Sequence, residues 1–193
     1  MRTAQKTRKT AETDIFVNIN LDGNGTHKIN TGIPFFDHML SAFSKHSRID
    51  IELKAVGDIE VDYHHTIEDT GIILGSVFKE ALGDKKGIVR FADATVPLDE
   101  ALVCSSLDIS GRSFLHFGLE FTRPDDGNGI SPYIFEEFFR SFTENSFITL
   151  HIDMIRGKNS HHIIEAAFKS VAKSIQKAVA IAGTDIPSTK GVL

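Results

Sequence analysis

Tryptophan is absent from the 193 residues, tyrosine occurs twice and cysteine once. A single thiol, Cys104, excludes an internal disulfide and any CxxC zinc or redox motif, so the fold does not depend on an oxidising compartment. No stretch approaches the ~18 uninterrupted apolar residues of a membrane span. The N-terminal MRTAQKTRKTAETD is basic and polar with no apolar run behind it, unlike a secretory leader. Positive charge is also scarce: 21 Lys+Arg against 26 Asp+Glu give a net charge of −5. With its cations scattered and few aromatics to stack bases, the chain is not expected to bind nucleic acid, although a local basic pocket for a small phosphate is compatible with it. The expectation is a cytoplasmic globular protein, 41% hydrophobic and 24% charged, long enough for one domain or two small units sharing a core.

Histidine is the residue present in excess: nine copies, four of them in two adjacent pairs. The pairs sit in a chain that reads as written twice. TDIFVNINLDGNG alternates as a half-buried strand and THKIN continues as a second one, so Asn24-Gly25-Thr26, a sequon in form, reads as a hairpin turn. Helical spacing follows from about Pro34 to His46, with Phe35, Met39, Leu40 and Phe43 on one face. RIDIELKAVGD returns to alternation, and EDTGIILGSVFKEALG to a helix ending near Gly83. The second half repeats the order: strands in VRFADATVPLDEALVCSSLDISG and RSFLHFGLEF, a helix in YIFEEFFRSFTEN, a strand in FITLHIDMI, and a helix from HHIIEAAFK to Gly183. YHHTIEDTGIILGSVFKEAL aligns with SHHIIEAAFKSVAKSIQKAV, the His64 pair being 97 residues before the His161 pair. Arg123–Pro132 reads as an exposed loop, and TDIPSTKGVL as a non-helical tail.

On a helix, residues four apart share a face while adjacent ones point about 100° apart. His64 can therefore share a metal with Glu68, and His161 with Glu165, while His65 and His162 must reach elsewhere. If the two repeats face each other, each ion takes a His and a Glu from one helix and the second His from the other. A fourth ligand is available from the preceding helix of each half, His38 in FFDHM and Glu137 in FEEFF. Imidazole and carboxylate without thiolate suit Mn, Fe or Zn. HExxH, the DxDxDG calcium loop and the ExxH spacing of di-iron bundles are all missing.

Along its whole length the chain resembles the imidazoleglycerol-phosphate dehydratase family in its monofunctional form, through RKTAETDI, TGIPFFDHML, DYHHTIEDTGIILG, PLDEAL, DISGR, KNSHHIIEAAFK and PSTKGVL. The resemblance implies an α+β fold made of an internally duplicated unit, each half a four-stranded sheet with a pair of helices, the two halves packed together. It divides the chain into repeats over 1–92 and 93–183 and a phosphate-binding tail over 184–193. It implies conversion of imidazole glycerol phosphate to imidazole acetol phosphate and water, in histidine biosynthesis. Two Mn(II) ions per active site would bind both nitrogens of the substrate ring as an imidazolate and accept developing charge. It further implies a large homo-oligomer, about 24 subunits in the family, with active sites at subunit interfaces.

Carried over residue by residue, one metal takes His38, His65, His161 and Glu165, and the other takes His64, Glu68, His162 and Glu137. Glu137 departs from the family, in which many members have EHFF where this chain has EEFF; it is either a ligand or a solvated helix residue. The catalytic candidates are Glu165, exchanging the C–H proton, Glu12, orienting or protonating the leaving hydroxyl, and His46. Without the resemblance, Glu12 reads as an exposed strand carboxylate and His46 as a helix C-terminal cation. Arg90, Arg112, Lys169, Ser188 and Lys190 are the phosphate-binding candidates. PSTKG lacks the Walker A spacing, so nucleotide binding is not suggested. His151 and His116 read as strand packing or edge residues, and His27 as solvated. Two other classes compete: a metal store or metal-triggered assembly protein, and a dinuclear phosphohydrolase that activates water for attack at phosphorus.

Overall fold

Alternating side chains give a strand one face for a core and one for water, and the computed structural model, which describes residues 1–122 and 130–193, uses that property in two matching sheets. The first half contains β1 (Thr3–Lys9), β2 (Thr13–Asn20), β3 (His27–Asn30), α1 (Pro34–Ser47), β4 (Asp50–Gly57) and α2 (His64–Leu82). The second contains β5 (Phe91–Leu98), β6 (Ala101–Asp108), β7 (Phe114–Gly118), α3 (Ile134–Ser146), β8 (Thr149–Arg156) and α4 (Ser160–Ala178). Strand order is β1-β2-β4-β3 in one sheet and β5-β6-β8-β7 in the other. In each, only the last pair is parallel, β3 with β4 and β7 with β8. The fold is thus α+β and internally duplicated.

Ile15, Val17 and Ile19 of β2 and Ile51, Leu53 and Ala55 of β4 are buried, while Asp14, Asn18, Glu52 and Lys54 lie on the other face. The buried faces carry the four helices. Helix α2 lies on β1 and β2 and α4 on β5 and β6, while between the halves α2 packs against α3 and α1 against α4. Phenylalanine fills this layer: Phe36, Phe78, Phe135, Phe138, Phe139, Phe142 and Phe168 are all buried, with Phe138 at 5.3 Å from Phe36 and 5.4 Å from Phe168 between ring centroids. The α2–α3 approach is set by glycine. A Cβ at Gly71 would lie 2.6 Å from the Phe138 carbonyl oxygen, and one at Gly75 2.5 Å from that of Phe142.

Several expectations need correction. Asn24-Gly25-Thr26 is not a hairpin turn, because β3 does not pair with β2; the chain crosses β4 so that β3 can add to its far edge in parallel. The last helix ends at Ala178, not Gly183. Beyond it Ile181 forms an antiparallel bridge with Ile88, and Ala182 and Gly183 N–H both donate to the Gly87 carbonyl, which draws the chain out of helical geometry. A strand within the polar N-terminal segment is an addition: β1 buries only Ala4 and lies along the sheet edge. The junction drawn at 92/93 falls inside β5. The loop expected over Arg123–Pro132 falls mainly on residues outside the described ones.

Candidate active site

Each histidine pair is presented by a helix start with the same local device. Asp62 Oδ1 accepts the His64 N–H at 2.7 Å, and Asn159 Oδ1 accepts the His161 N–H at 2.9 Å, in both cases an Asx two residues ahead of the pair. One orphan donor of the first turn of α2, and two in α4 where Asn159 also accepts from the His162 N–H at 3.4 Å, are thereby satisfied while the imidazoles remain at the helix mouth.

Because α1 packs against α4, His38 meets His161 and Glu165. His38 Nε2 and His161 Nε2 lie 3.4 and 3.2 Å from Glu165 Oε2, and the three ligand atoms fall within 4.8 Å of one another. This is the only such trio among the described residues. Phe35 holds the His161 ring from one side, 4.9 Å between centroids. The other Glu165 oxygen accepts from Lys169 Nζ at 2.7 Å. Burial pushes the Glu165 carboxyl up, but the hydrogen bond and charge of Lys169, with His38, outweigh it and hold the group below the ordinary carboxylate range. Eight residues beyond His38 on α1, His46 is half-buried, and burial together with Lys169 and Lys173 lowers its pKa. It does not behave as a stabilised helix-end cation.

The second set is distributed over α2 and α3 and does not converge as the first does. His64 Nε2 lies 3.3 Å from Glu68 Oε2. Glu137 lines, with His64, Asp62 and Tyr63, an open cavity of about 450 Å³, and its carboxylate also lies 3.5 Å from Arg140 Nε. Glu137 is thus placed on the His64 side of the molecule while carrying an ion pair of its own.

His65 and His162 do not join either set within the chain. Within one chain the two HHxxE helices do not face each other: α2 lies beside α3 and α4 beside α1, and the second histidine of each pair turns away by the helical angle. His65 Nδ1 bonds Asp58 Oδ2 at 3.0 Å, with Glu12 Oε1 3.8 Å from its Nε2. His162 Nδ1 bonds Glu100 Oε2 at 2.7 Å, with Asp99 Oδ2 3.9 Å from its Nε2. The bond to Asp58, against some desolvation and helped by the charge of Glu12, raises the His65 pKa. Glu100 is lowered to about 2, by His162 and then by the Asn159 N–H. Sequence reasoning missed Asp58, Asp99 and Glu100. The only signal was that PLDEAL carries two adjacent acids with no role.

Of the phosphate candidates, Arg90 is occupied. Its Nε and one Nη reach Asp108 at 2.7 and 3.2 Å, and the other Nη donates to the Pro187 carbonyl at 2.8 Å. Arg90 thereby pins the tail that carries Ser188 and Lys190, where Ser188 Oγ accepts the Lys190 N–H at 3.2 Å. Beyond them Leu193 approaches the Arg112 loop: a Cβ at Gly111 would meet the Leu193 carbonyl carbon at 3.0 Å. Arg112 itself is exposed. Lys169, as described, is on Glu165. His116 and His151 lie side by side on the outer face of the second sheet, and His27 is exposed.

The sequence pattern of the imidazoleglycerol-phosphate dehydratase family matches residues 31–175. The chain is 53% identical over 195 aligned positions to the imidazoleglycerol-phosphate dehydratase of Caldanaerobacter subterraneus subsp. tengcongensis, covering both sequences completely. It is 52% identical, again over the full length of both, to that of Methanoculleus marisnigri. The crystal structure of the Staphylococcus aureus enzyme superposes with a TM-score of 0.84 at 36% identity, covering 93% of this chain and 99% of that one.

Proposed function

Since the chain belongs to the imidazoleglycerol-phosphate dehydratase family, a family of hydro-lyases in histidine biosynthesis, we propose that it eliminates water from imidazole glycerol phosphate at a pair of divalent metal ions, Mn(II) being the expected species. The observation that carries this reading is the convergence of His38, His161 and Glu165 within 4.8 Å. Two imidazoles and a carboxylate without thiolate fit a hard to borderline ion such as Mn(II). His64, Glu68 and Glu137 would hold the second ion. When bound, such ions supply Lewis-acid charge stabilisation and a template for the substrate ring.

The chain's own residues do the rest. Glu165, kept ionised by Lys169, is the base that exchanges the C–H proton beside the substrate ring. Glu12, exposed just ahead of β2, orients or protonates the departing hydroxyl, and His46 lies on the Lys169 side of Glu165 as a further proton-transfer group. Arg112, Ser188 and Lys190 receive the phosphate, with Arg90 setting the tail that brings the last two in. Each ligand set is one imidazole short of the four carried over from the family. His65 and His162 each show an Nε2 away from its carboxylate anchor, so neighbouring copies complete one another's sites in a large homo-oligomer.

The test incubates metal-stripped protein with imidazole glycerol phosphate, with and without Mn(II), following imidazole acetol phosphate, free phosphate and, by light scattering, assembly size. Mn-dependent acetol product from an assembled form supports the proposal. Free phosphate indicates a phosphohydrolase, and a fully active monomer overturns the shared-site reading.

A further inference from the structure

The two histidines left out of the chain's own ligand sets share one environment built from unrelated parts of the sequence. In the first half the Nδ1 partner is Asp58, just past β4; in the second it is Glu100, in the turn between β5 and β6. An ionised carboxylate only accepts hydrogen bonds, so each Nδ1 must carry the proton, and a neutral ring then presents an unprotonated Nε2. On both histidines Nε2 is the atom on the far side from the anchor.

We propose that Glu100 and Asp58 are positioning residues that fix the Nδ1-protonated tautomer and ring orientation of His162 and His65, so that each Nε2 lone pair is ready for a metal ion. This rests on the metal-site reading above. A carboxylate behind a ligating imidazole also raises its basicity, and loss of such a partner commonly weakens metal binding about 10–100-fold.

The two anchors differ in a way that makes the proposal testable. Glu100 Oε1 is already committed to the backbone N–H groups of Lys158 and Asn159, at 3.2 and 2.8 Å, and only Oε2 faces His162. In Glu100→Gln the amide oxygen is retained by those two donors, and its NH₂ must face Nδ1. The ring then accepts at Nδ1, and its proton moves to Nε2, the atom needed by the metal. Asp58 places both oxygens near His65 Nδ1, at 3.0 and 3.2 Å. Asp58→Asn can turn its own oxygen to the ring and preserve the tautomer.

Full-length protein labelled with ¹⁵N-histidine is examined metal-free by NMR, then titrated with MnCl₂ by calorimetry, as wild type, Glu100→Gln, Glu100→Ala and Asp58→Asn. We expect His162 to switch to the Nε2-protonated tautomer in Glu100→Gln, with Mn affinity at one class of site reduced roughly 10–100-fold and the melting temperature unchanged. Asp58→Asn should keep the His65 tautomer. A wild-type tautomer and Mn affinity within twofold in Glu100→Gln would overturn the proposal. So would a larger loss of Mn affinity in Glu100→Ala than in Glu100→Gln with no tautomer switch, the result expected if Glu100 serves only the loop. Wild-type protein that binds no Mn would instead sink the metal-site reading, while the tautomer spectra still decide the anchoring.

Discussion

Lys169 and Glu165 form an i,i+4 ion pair of 2.7 Å on α4, on the opposite carboxylate oxygen from the one that faces His38 and His161. This pair is the chief influence opposing burial at a carboxylate that must be ionised to bind a metal and accept a proton. Replacing Lys169 with Met should raise the Glu165 pKa. Its ionised form is then lost at higher pH than in the wild type, so the acidic limb of a kcat/KM profile moves upward. An unshifted limb with a raised KM would assign Lys169 to the phosphate alone.

Glu12 stands free of the ligand sets, with His65 as its nearest ionisable partner at 3.8 Å. Glu12→Gln keeps the shape and removes the proton-transfer capacity, so kcat should fall roughly 10²–10⁴-fold with Mn binding and KM little changed. Normal turnover would remove Glu12 from the chemistry.

The two arginines should separate cleanly. Arg112→Ala deletes an exposed cation whose charge-assisted hydrogen bond to phosphate is worth about 1.5–3 kcal/mol, and KM should rise roughly 10–100-fold. Arg90→Ala instead breaks the Asp108 and Pro187 contacts, so its first effect is a tail that proteases cut more readily. A normal KM in Arg112→Ala would reject its phosphate role.

Gly75→Ala tests the helix contact between the halves. Its new methyl would meet the Phe142 carbonyl oxygen at 2.5 Å and the Asn145 Cβ at 3.1 Å, both on α3. Overpacking of this kind costs about 1–3 kcal/mol, and each of these corresponds to about 2–4 °C of melting temperature in a chain of this size. An unchanged melting temperature would mean that the helices separate at little cost.

Where one residue pattern determined one structure, the sequence was readable. Ile15, Val17 and Ile19 announce β2, and the His64/Glu68 and His161/Glu165 spacings place each pair on one helix face. β1 was hidden because an edge strand with a single buried residue, Ala4, has no alternation to show. The β3 pairing was hidden because a parallel partner lies across a helix, beyond the reach of turn chemistry. Glu100 is 62 residues from His162, and only the β5–β6 turn landing beside the mouth of α4 makes them neighbours. Helix-face arguments have no access to contacts of that kind.

The duplicated topology also carries a history. Since α3 occupies the place of α1 and α4 that of α2, the contacts α1–α4 and α2–α3 are one contact made twice. That reciprocity is the mark of an isologous pair, in which each copy covers the other's bare helices. The chain has the form of such a homodimer fused through residues 83–90. Fusion frees the two copies to diverge: the positions of Gly71 and Gly75 in α2 are taken by Phe168 and Ala172 in α4. Glycine keeps the α2–α3 seam tight, whereas Phe168 packs its ring on Phe135, Phe138 and Phe139 of α3, an asymmetry that two identical chains related by a dyad cannot acquire.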